Sequence, residues 1–327
     1  MENKSSVMAG LIAIICIFGP STAQVLKLGF YSTTCPKAEG IVLDVARKHI
    51  SLAPELAAAL IRMHFHDCFV RGCDGSVLLN SSNGTAEKDA IPNQTLRGFS
   101  LIDKAKAAIE KQCPGVVSCA DILALIARDA HLVAHGGPHW NVQTGRRDGR
   151  ISNSSEALAN LPSPTFNFSQ LSTSFASKGL SNKDLVLLSG AHTVGIAHCG
   201  PPFSNRLYNF SGKGDSDPSM EKKYVASLKK NKCKTPSDNT TIIEMDPGSF
   251  RIFDLGYYQR VKQRRGLFQS DAALLTDSAS KSYIENQLLK SKNEFFTEFA
   301  KSMEKMGQIG VLTGSAGEIR RQCSRVN

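Results

Sequence analysis

Eight cysteines outside the first 23 residues constrain this chain more than any other feature: Cys35, Cys68, Cys73, Cys113, Cys119, Cys199, Cys233 and Cys323. Their spacing fits neither a zinc finger nor a CxxC redox pair. An even set in an exported chain reads as four disulfides, whose pairing the spacing leaves open. The N-terminus reads as the export route. Lys4 precedes the uncharged apolar run Val7–Phe18, Gly19-Pro20 breaks it, and Ser21-Thr22-Ala23 offers a small-residue cleavage site. A membrane anchor is the competing reading, but the run falls short of the ~20 apolar residues of a spanning helix. The C-terminus, Gln322–Asn327, carries no retention or lipid-anchor signal. The expectation is a signal peptide at 1–23, which takes Cys16 with it, and a secreted chain from Gln24 with no membrane segment. Sequons at Asn80, Asn83, Asn93, Asn153, Asn167, Asn209 and Asn239 suit a surface glycoprotein.

Helical periodicity dominates the remainder. Ile41, Val42, Val45 and Ala46 share one helix face, and Ile102, Ala105 and Ile109 mark another. Ser118 and Asp121 form a capping-box start to a helix through Ile122, Ile126, Ala130 and Val133, stopped by Gly136-Gly137-Pro138. Ser181 and Asp184 repeat that signal, and Phe295, Phe299, Met303 and Met306 face together near the end. Strand-like alternation is scarce. The fold class is mainly α with little β structure, as one large domain or two lobes. The polar, turn-rich stretch Ser152–Ser169 reads as a lobe boundary or a long surface loop.

Three stretches carry chemistry. In Leu56–Phe69, Arg62 and His66 lie one turn apart on one helix face, so a base and a fixed cation converge. Such a pair suits a small polar molecule that must be deprotonated and its charge stabilised. The bland reading is a helix C-terminus whose basic residues complement the dipole. His192, among the small residues Ser189, Gly190 and Ala191, admits a flat, bulky group to its ring and suits an iron ligand; a satisfied core histidine is the alternative. Asp271 offers a carboxylate for the other nitrogen of such a ligand. Two oxygen-rich loops, one with Asp67, Asp74 and Ser76 and one with Asp246, Ser249 and Asp254, suit calcium.

Arg62–Ser76 resembles the distal-haem motif of class III plant secretory peroxidases, and Leu188–Gly195 resembles their proximal-haem motif. Phe30–Pro36, Val117–Asp121, Gly145–Asp148 and Asn160–Pro162 extend the likeness from Gln24 to the end. The resemblance implies a two-lobed helical fold with haem between a distal lobe (about 24–165 plus the C-terminal segment) and a proximal lobe (about 166–300). It implies a haem b enzyme that reduces hydrogen peroxide and oxidises small, often phenolic, donors by one-electron steps. His66 would be its acid/base, Arg62 its charge stabiliser and Asn93 the acceptor that keeps His66 a base, which makes the Asn93 sequon a false match. His192 would be the axial iron ligand, with Asp271 as its partner. Two calcium ions are implied, one on Asp67, Val70, Gly72, Asp74 and Ser76, the other on Thr193, Asp246, Ser249, Ile252 and Asp254. The family's disulfide pattern implies Cys35–Cys113, Cys68–Cys73, Cys119–Cys323 and Cys199–Cys233, and Pro162 matches a donor-edge position. Ile91-Pro92, Thr165 and His198 depart from better-known members near the donor site and a haem propionate, which leaves donor preference open.

Loss of Lys4 and Glu2 with the signal cancels, so the mature chain keeps the net charge of +10. That excess favours acidic cell-wall polysaccharide as a partner in the apoplast or wall. The basic residues are spread out rather than clustered with aromatics, which argues against nucleic acid. A monomer is expected. A metal-dependent hydrolase built on His64, His66 and Asp67 leaves Arg62, Asn93 and the cysteine fit unexplained. An inactive wall-adhering glycoprotein leaves the intact Arg62, His66, Asn93, His192 and Asp271 set without a purpose.

Overall fold

The computed structural model describes residues 25–327, so the signal-peptide expectation lies outside the described residues. Helices α1 (Ala38–Ile50), α2 (Leu56–Val70), α3 (Phe99–Glu110) and α4 (Cys119–His135) form the first half, with α4 packed on the other three. Ser118 Oγ accepts from the Asp121 amide at 3.1 Å, and Gly136, at φ 69°, ends α4 in the left-handed region. Between those caps α4 is buried on every side from Cys119 to His131, as a helix at the centre of a core must be.

Helix α2 lies on α4 with Leu60, Met63 and Phe69 fully buried, and leaves Ala58, Ala59, Arg62 and Phe65 partly open. It runs to Val70, and its last turn holds no basic residue. Arg62 and His66 therefore sit away from the helix end, and the dipole-complement reading fails.

The stretch Ser152–Ser169 is neither a simple loop nor a bare boundary. It holds α5 (Ser154–Asn160), started by Asn153 Oδ1 accepting from Ser155 N at 2.9 Å and anchored through fully buried Ala157. Arg71 grips Glu156 at 2.6 Å, which pins α5 beside α2. The cap and one buried alanine outweigh the polar composition.

The second half carries α6 (Phe168–Ala176), α7 (Asn182–Ser189), a 3-10 turn (Gly190–Thr193), strand β1 (Ile196–His198), α8 (Phe203–Tyr208) and α9 (Lys222–Asn231). Strand β2 (Ile242–Glu244), α10 (Gly256–Lys262), α11 (Gln269–Ala273), α12 (Ser278–Gln287) and α13 (Lys292–Met306) complete it. The two strands pair antiparallel with Ala197 opposite Ile243, and they are the whole sheet content of the described residues. Ser181 and Asp184 cap α7 reciprocally, while Phe295, Phe299, Met303 and Met306 are buried along α13. One continuous core joins α1–α4 to α7, α10 and α13, and a smaller one lies under β1, α8 and α9.

Disulfides join Cys35 to Cys113, Cys68 to Cys73, Cys119 to Cys323 and Cys199 to Cys233. The Cys119–Cys323 bridge returns the C-terminal segment to α4, beside bridges from Arg147 to Leu312 and from Asp148 to Glu318. Closing a loop of 204 residues removes more freedom from the unfolded chain than closing one of 5.

Candidate active site

On α2, His66 Nδ1 lies 2.5 Å from Asn93 Oδ1. Asn93 Nδ2 donates to the Glu87 carbonyl at 2.7 Å, and a carbonyl only accepts. The amide is thereby oriented with its oxygen toward the ring. His66 must donate from Nδ1 and keep its lone pair on Nε2. Burial, then the Arg62 charge, push the imidazole down to about 3, so it is neutral at ordinary pH. Asn93 is 1 % exposed and cannot carry a glycan in the folded chain, whereas the other sequon asparagines are exposed.

Arg62, one turn earlier, donates from Nη2 to the Pro92 carbonyl at 2.6 Å and from Nη1 to Thr95 Oγ1 at 3.0 Å. Burial lowers it to about 10, which leaves it a cation at neutral pH. A main-chain carbonyl, that of Pro92, thus aims the guanidinium.

Glu87 was not foreseen as a site residue. It is fully buried, neither carboxylate oxygen has a protein partner, and burial followed by the Asp67 charge pushes it up to about 9. Its backbone orients Asn93 while its side chain lies toward the Asp67 loop. Only its place six residues before Asn93 hinted at this, because a glutamate in a polar stretch normally reads as surface.

His192, in the turn after α7, reaches Asp271 of α11 across 79 residues of sequence, with Nδ1 to Oδ1 at 2.9 Å. Asp271 also accepts from Tyr257 Oη at 3.0 Å and from the Phe268 amide at 2.8 Å. Burial alone would raise this carboxyl, but His192 and the other donors hold it below its usual value. The His192 side chain is 38 % exposed while Asp271 is buried, so the nitrogen turned away from Asp271 is the one free to bind a ligand. The Tyr257 and Phe268 rings meet the imidazole edge-on at 5.6 Å.

The turn that carries His192 comes close to α2. Gly195, at φ 98°, sits where a Cβ would stand 3.2 Å from Ala58 Cβ, and Ala58 shares the partly open stripe with Arg62 and Phe65. Gly190 has no room for a side chain against Tyr258 and Phe295, so the His192 turn lies tight on its support. A part-exposed imidazole held at Nδ1 and open at Nε2 fits an iron ligand of haem. Pro162 is half-buried in the turn whose Pro164 carbonyl accepts from Ser270 N at 3.0 Å, one residue before Asp271.

Both oxygen-rich loops assemble. Asp67 Oδ2 accepts from Gly75 N at 3.0 Å and Asp74 Oδ1 from Ser76 N at 2.9 Å, while Ser76 Oγ is buried without a partner. Burial, then the Asp74 charge, drive Asp67 well above the usual carboxylate range, which marks a place short of positive charge. Val70, the last residue of α2, and Gly72 just beyond it have only carbonyl oxygens to offer as ligands. In the second loop Asp254 accepts from Thr193 Oγ1 at 3.1 Å and Ser249 Oγ at 3.3 Å, with Asp246 Oδ2 unpartnered. A Cβ on Gly256 would collide with that oxygen, so glycine keeps the hollow open. Ile252 exposes its side chain, and its main chain lies within the loop. Arg260 Nε already binds Asp246 Oδ1 at 2.9 Å, so this loop is partly neutralised by the protein. Orphaned oxygens in both loops fit calcium.

The family model described as "Peroxidase" matches residues 42–289. Peroxidase 3 of Arabidopsis thaliana is 62% identical over 314 residues, covering 96% of this chain and 95% of its own. Peroxidase 39 of the same plant is 60% identical, with 97% and 98% covered, and Peroxidase 27 is 56% identical over the full length of both chains. The chain belongs to the peroxidase family, in its class III plant group, and is a haem peroxidase.

Proposed function

We propose that this peroxidase is a secreted haem b enzyme that reduces one hydrogen peroxide to two waters while two small phenolic donors each lose one electron. The observation that carries this reading is a pair of differently prepared imidazoles: His66 with a free base nitrogen beside a clamped arginine, and His192 with a free donor nitrogen backed by a carboxylate.

His66 Nε2 accepts a proton from the bound peroxide and delivers it to the departing oxygen, which leaves as water. Asn93 holds the tautomer that makes this possible, and Glu87 holds Asn93. The Arg62 guanidinium, fixed by Pro92 and Thr95, faces the negative charge that develops as the O–O bond opens. His192 would hold the iron through Nε2, while Asp271 accepts the Nδ1–H hydrogen bond and makes the imidazole a stronger donor. Haem iron, when bound there, supplies the electrons for O–O cleavage and recovers them singly from donors. Pro162 lines the edge where donors bind.

Calcium ions on Asp67, Val70, Gly72, Asp74 and Ser76, and on Thr193, Asp246, Ser249, Ile252 and Asp254, brace the two sides. Residues 24–327 act as one catalytic domain, with a distal lobe at about 24–165 closed by the C-terminal segment and a proximal lobe at about 166–300. Residues 1–23 direct export, which four disulfides support by the oxidising compartment they require. Among the described residues no helix is long and apolar enough to cross a membrane. The enzyme works as a monomer in the apoplast or wall, where its positive charge holds it to acidic polysaccharide and phenolic cross-linking or defence chemistry uses it.

An absorbance spectrum of the purified protein tests the core of this reading. A strong Soret band that shifts on adding peroxide is expected. Haem-free protein that cannot be reconstituted refutes it.

A further inference from the structure

We propose that Tyr257 is a positioning residue that sets how strongly Asp271 draws on His192, and through it the reduction potential of the iron held there. The proposal rests on the reading of His192 as the axial ligand.

Asp271 Oδ1 is a shared acceptor: His192 Nδ1 reaches it at 2.9 Å and Tyr257 Oη at 3.0 Å. Two donors on one oxygen divide its charge. Every bit of electron density that the phenol takes from Oδ1 is lost to the imidazole N–H, so the tyrosine moderates the anionic character that Asp271 gives the ligand. The arrangement is built to last. Tyr257 is 1 % exposed, its ring packs edge-on against His192 and at a tilt against Tyr258 at 5.3 Å, and Tyr258 Oη is tied to the Val186 carbonyl at 3.0 Å. A carboxylate oxygen only accepts, so the phenol is the O–H donor of this contact. The other carboxylate oxygen, Oδ2, is satisfied by the Phe268 amide, which leaves Oδ1 as the adjustable side. A phenylalanine would fill the same space and make the same edge contact. The hydroxyl is therefore separable from the packing.

The test compares haem-loaded parent, Tyr257→Phe, and a protein with 3-fluorotyrosine inserted only at position 257, whose more acidic phenol donates more strongly. Two readouts are taken: the ferric/ferrous midpoint potential, and the iron–histidine stretching frequency of the ferrous form by resonance Raman. Removing the hydroxyl is expected to favour ferric over ferrous iron by roughly three- to tenfold, tenfold being ~59 mV for one electron, and to raise the stretching frequency. Fluorotyrosine is expected to shift both readouts the opposite way. Should Tyr257→Phe fail to load haem, the isosteric fluorotyrosine protein carries the test alone. Unchanged potentials and frequencies, or shifts of the same sign in both variants, overturn the proposal. His192→Ala separates the two levels: loss of the iron–histidine band upholds the ligand reading whatever Tyr257 does, and a band that persists brings down that reading and this proposal together.

Discussion

Replacing Asn93 separates the tautomer of His66 from every other feature of the site. In Asn93→Ala the His66 Nδ1–H loses its 2.5 Å acceptor inside a pocket where the ring is 6 % exposed, and the Glu87 carbonyl loses its donor. A net hydrogen bond of about 1–1.5 kcal/mol that fixed the proton on Nδ1 is gone. The neutral ring is then free to place the proton on Nε2, where it blocks acceptance from peroxide. That energy changes the ratio of the two tautomers roughly five- to tenfold, and once they are equal the competent fraction has fallen about twofold. The assay is stopped-flow absorbance of the Soret band against peroxide concentration, with haem content matched. The second-order rate should fall about twofold or more, with donor oxidation unchanged. Asn93→Asp supplies the complementary arm. A carboxylate keeps the Nδ1 proton in place but favours the charged imidazole, so the His66 value rises from about 3. The protonated ring is no base, so the acid limb of the rate profile must move toward neutral pH. An alanine variant with the parent's rate, or an aspartate variant whose acid limb stays put, refutes the assignment.

Three other outcomes are open to measurement. His66→Ala should retain its haem spectrum yet cleave peroxide ~10²–10⁴ more slowly, and near-normal turnover rules out the acid/base role. Chelating calcium should lower the melting temperature and perturb the Soret band, because Asp67 and Asp74 are left buried together beside unpartnered Ser76 Oγ; an indifferent spectrum and melting point count against both loops. His131 is fully buried among Trp140 and Phe253 with neither ring nitrogen partnered, and burial, then His135, push it down to about 3. The unfolded chain takes up its proton near 6.5 and the folded chain only near 3, so stability drains away as pH falls through that window. His131→Leu should therefore hold about 2–3 kcal/mol more of its pH 7 stability at pH 4.5 than the parent does, and parallel denaturation curves at both pH values would show that the ring is solvated.

Much of this molecule is written in short-range pattern, because helices are local. The Ser118/Asp121 and Ser181/Asp184 caps begin α4 and α7 as their spacing requires, and Phe295, Phe299, Met303 and Met306 all turn inward. The i, i+4 placement of Arg62 and His66 follows from one turn of helix, and the even cysteine set limits the chain to a bridged fold. What lies across long loops was beyond such patterns. Nothing near His192 names Asp271, 79 residues away, and nothing in a polar stretch announces that Glu87 is sealed from water or that Tyr257 shares an acceptor with the imidazole. Ser152–Ser169 looked open until Asn153 capped a helix within it. Asn93 is the sharpest case. As sequence it satisfies a glycosylation pattern; burial removes it from solvent, the Glu87 carbonyl orients its amide, and only that tertiary setting makes it the residue that decides which nitrogen of His66 is a base.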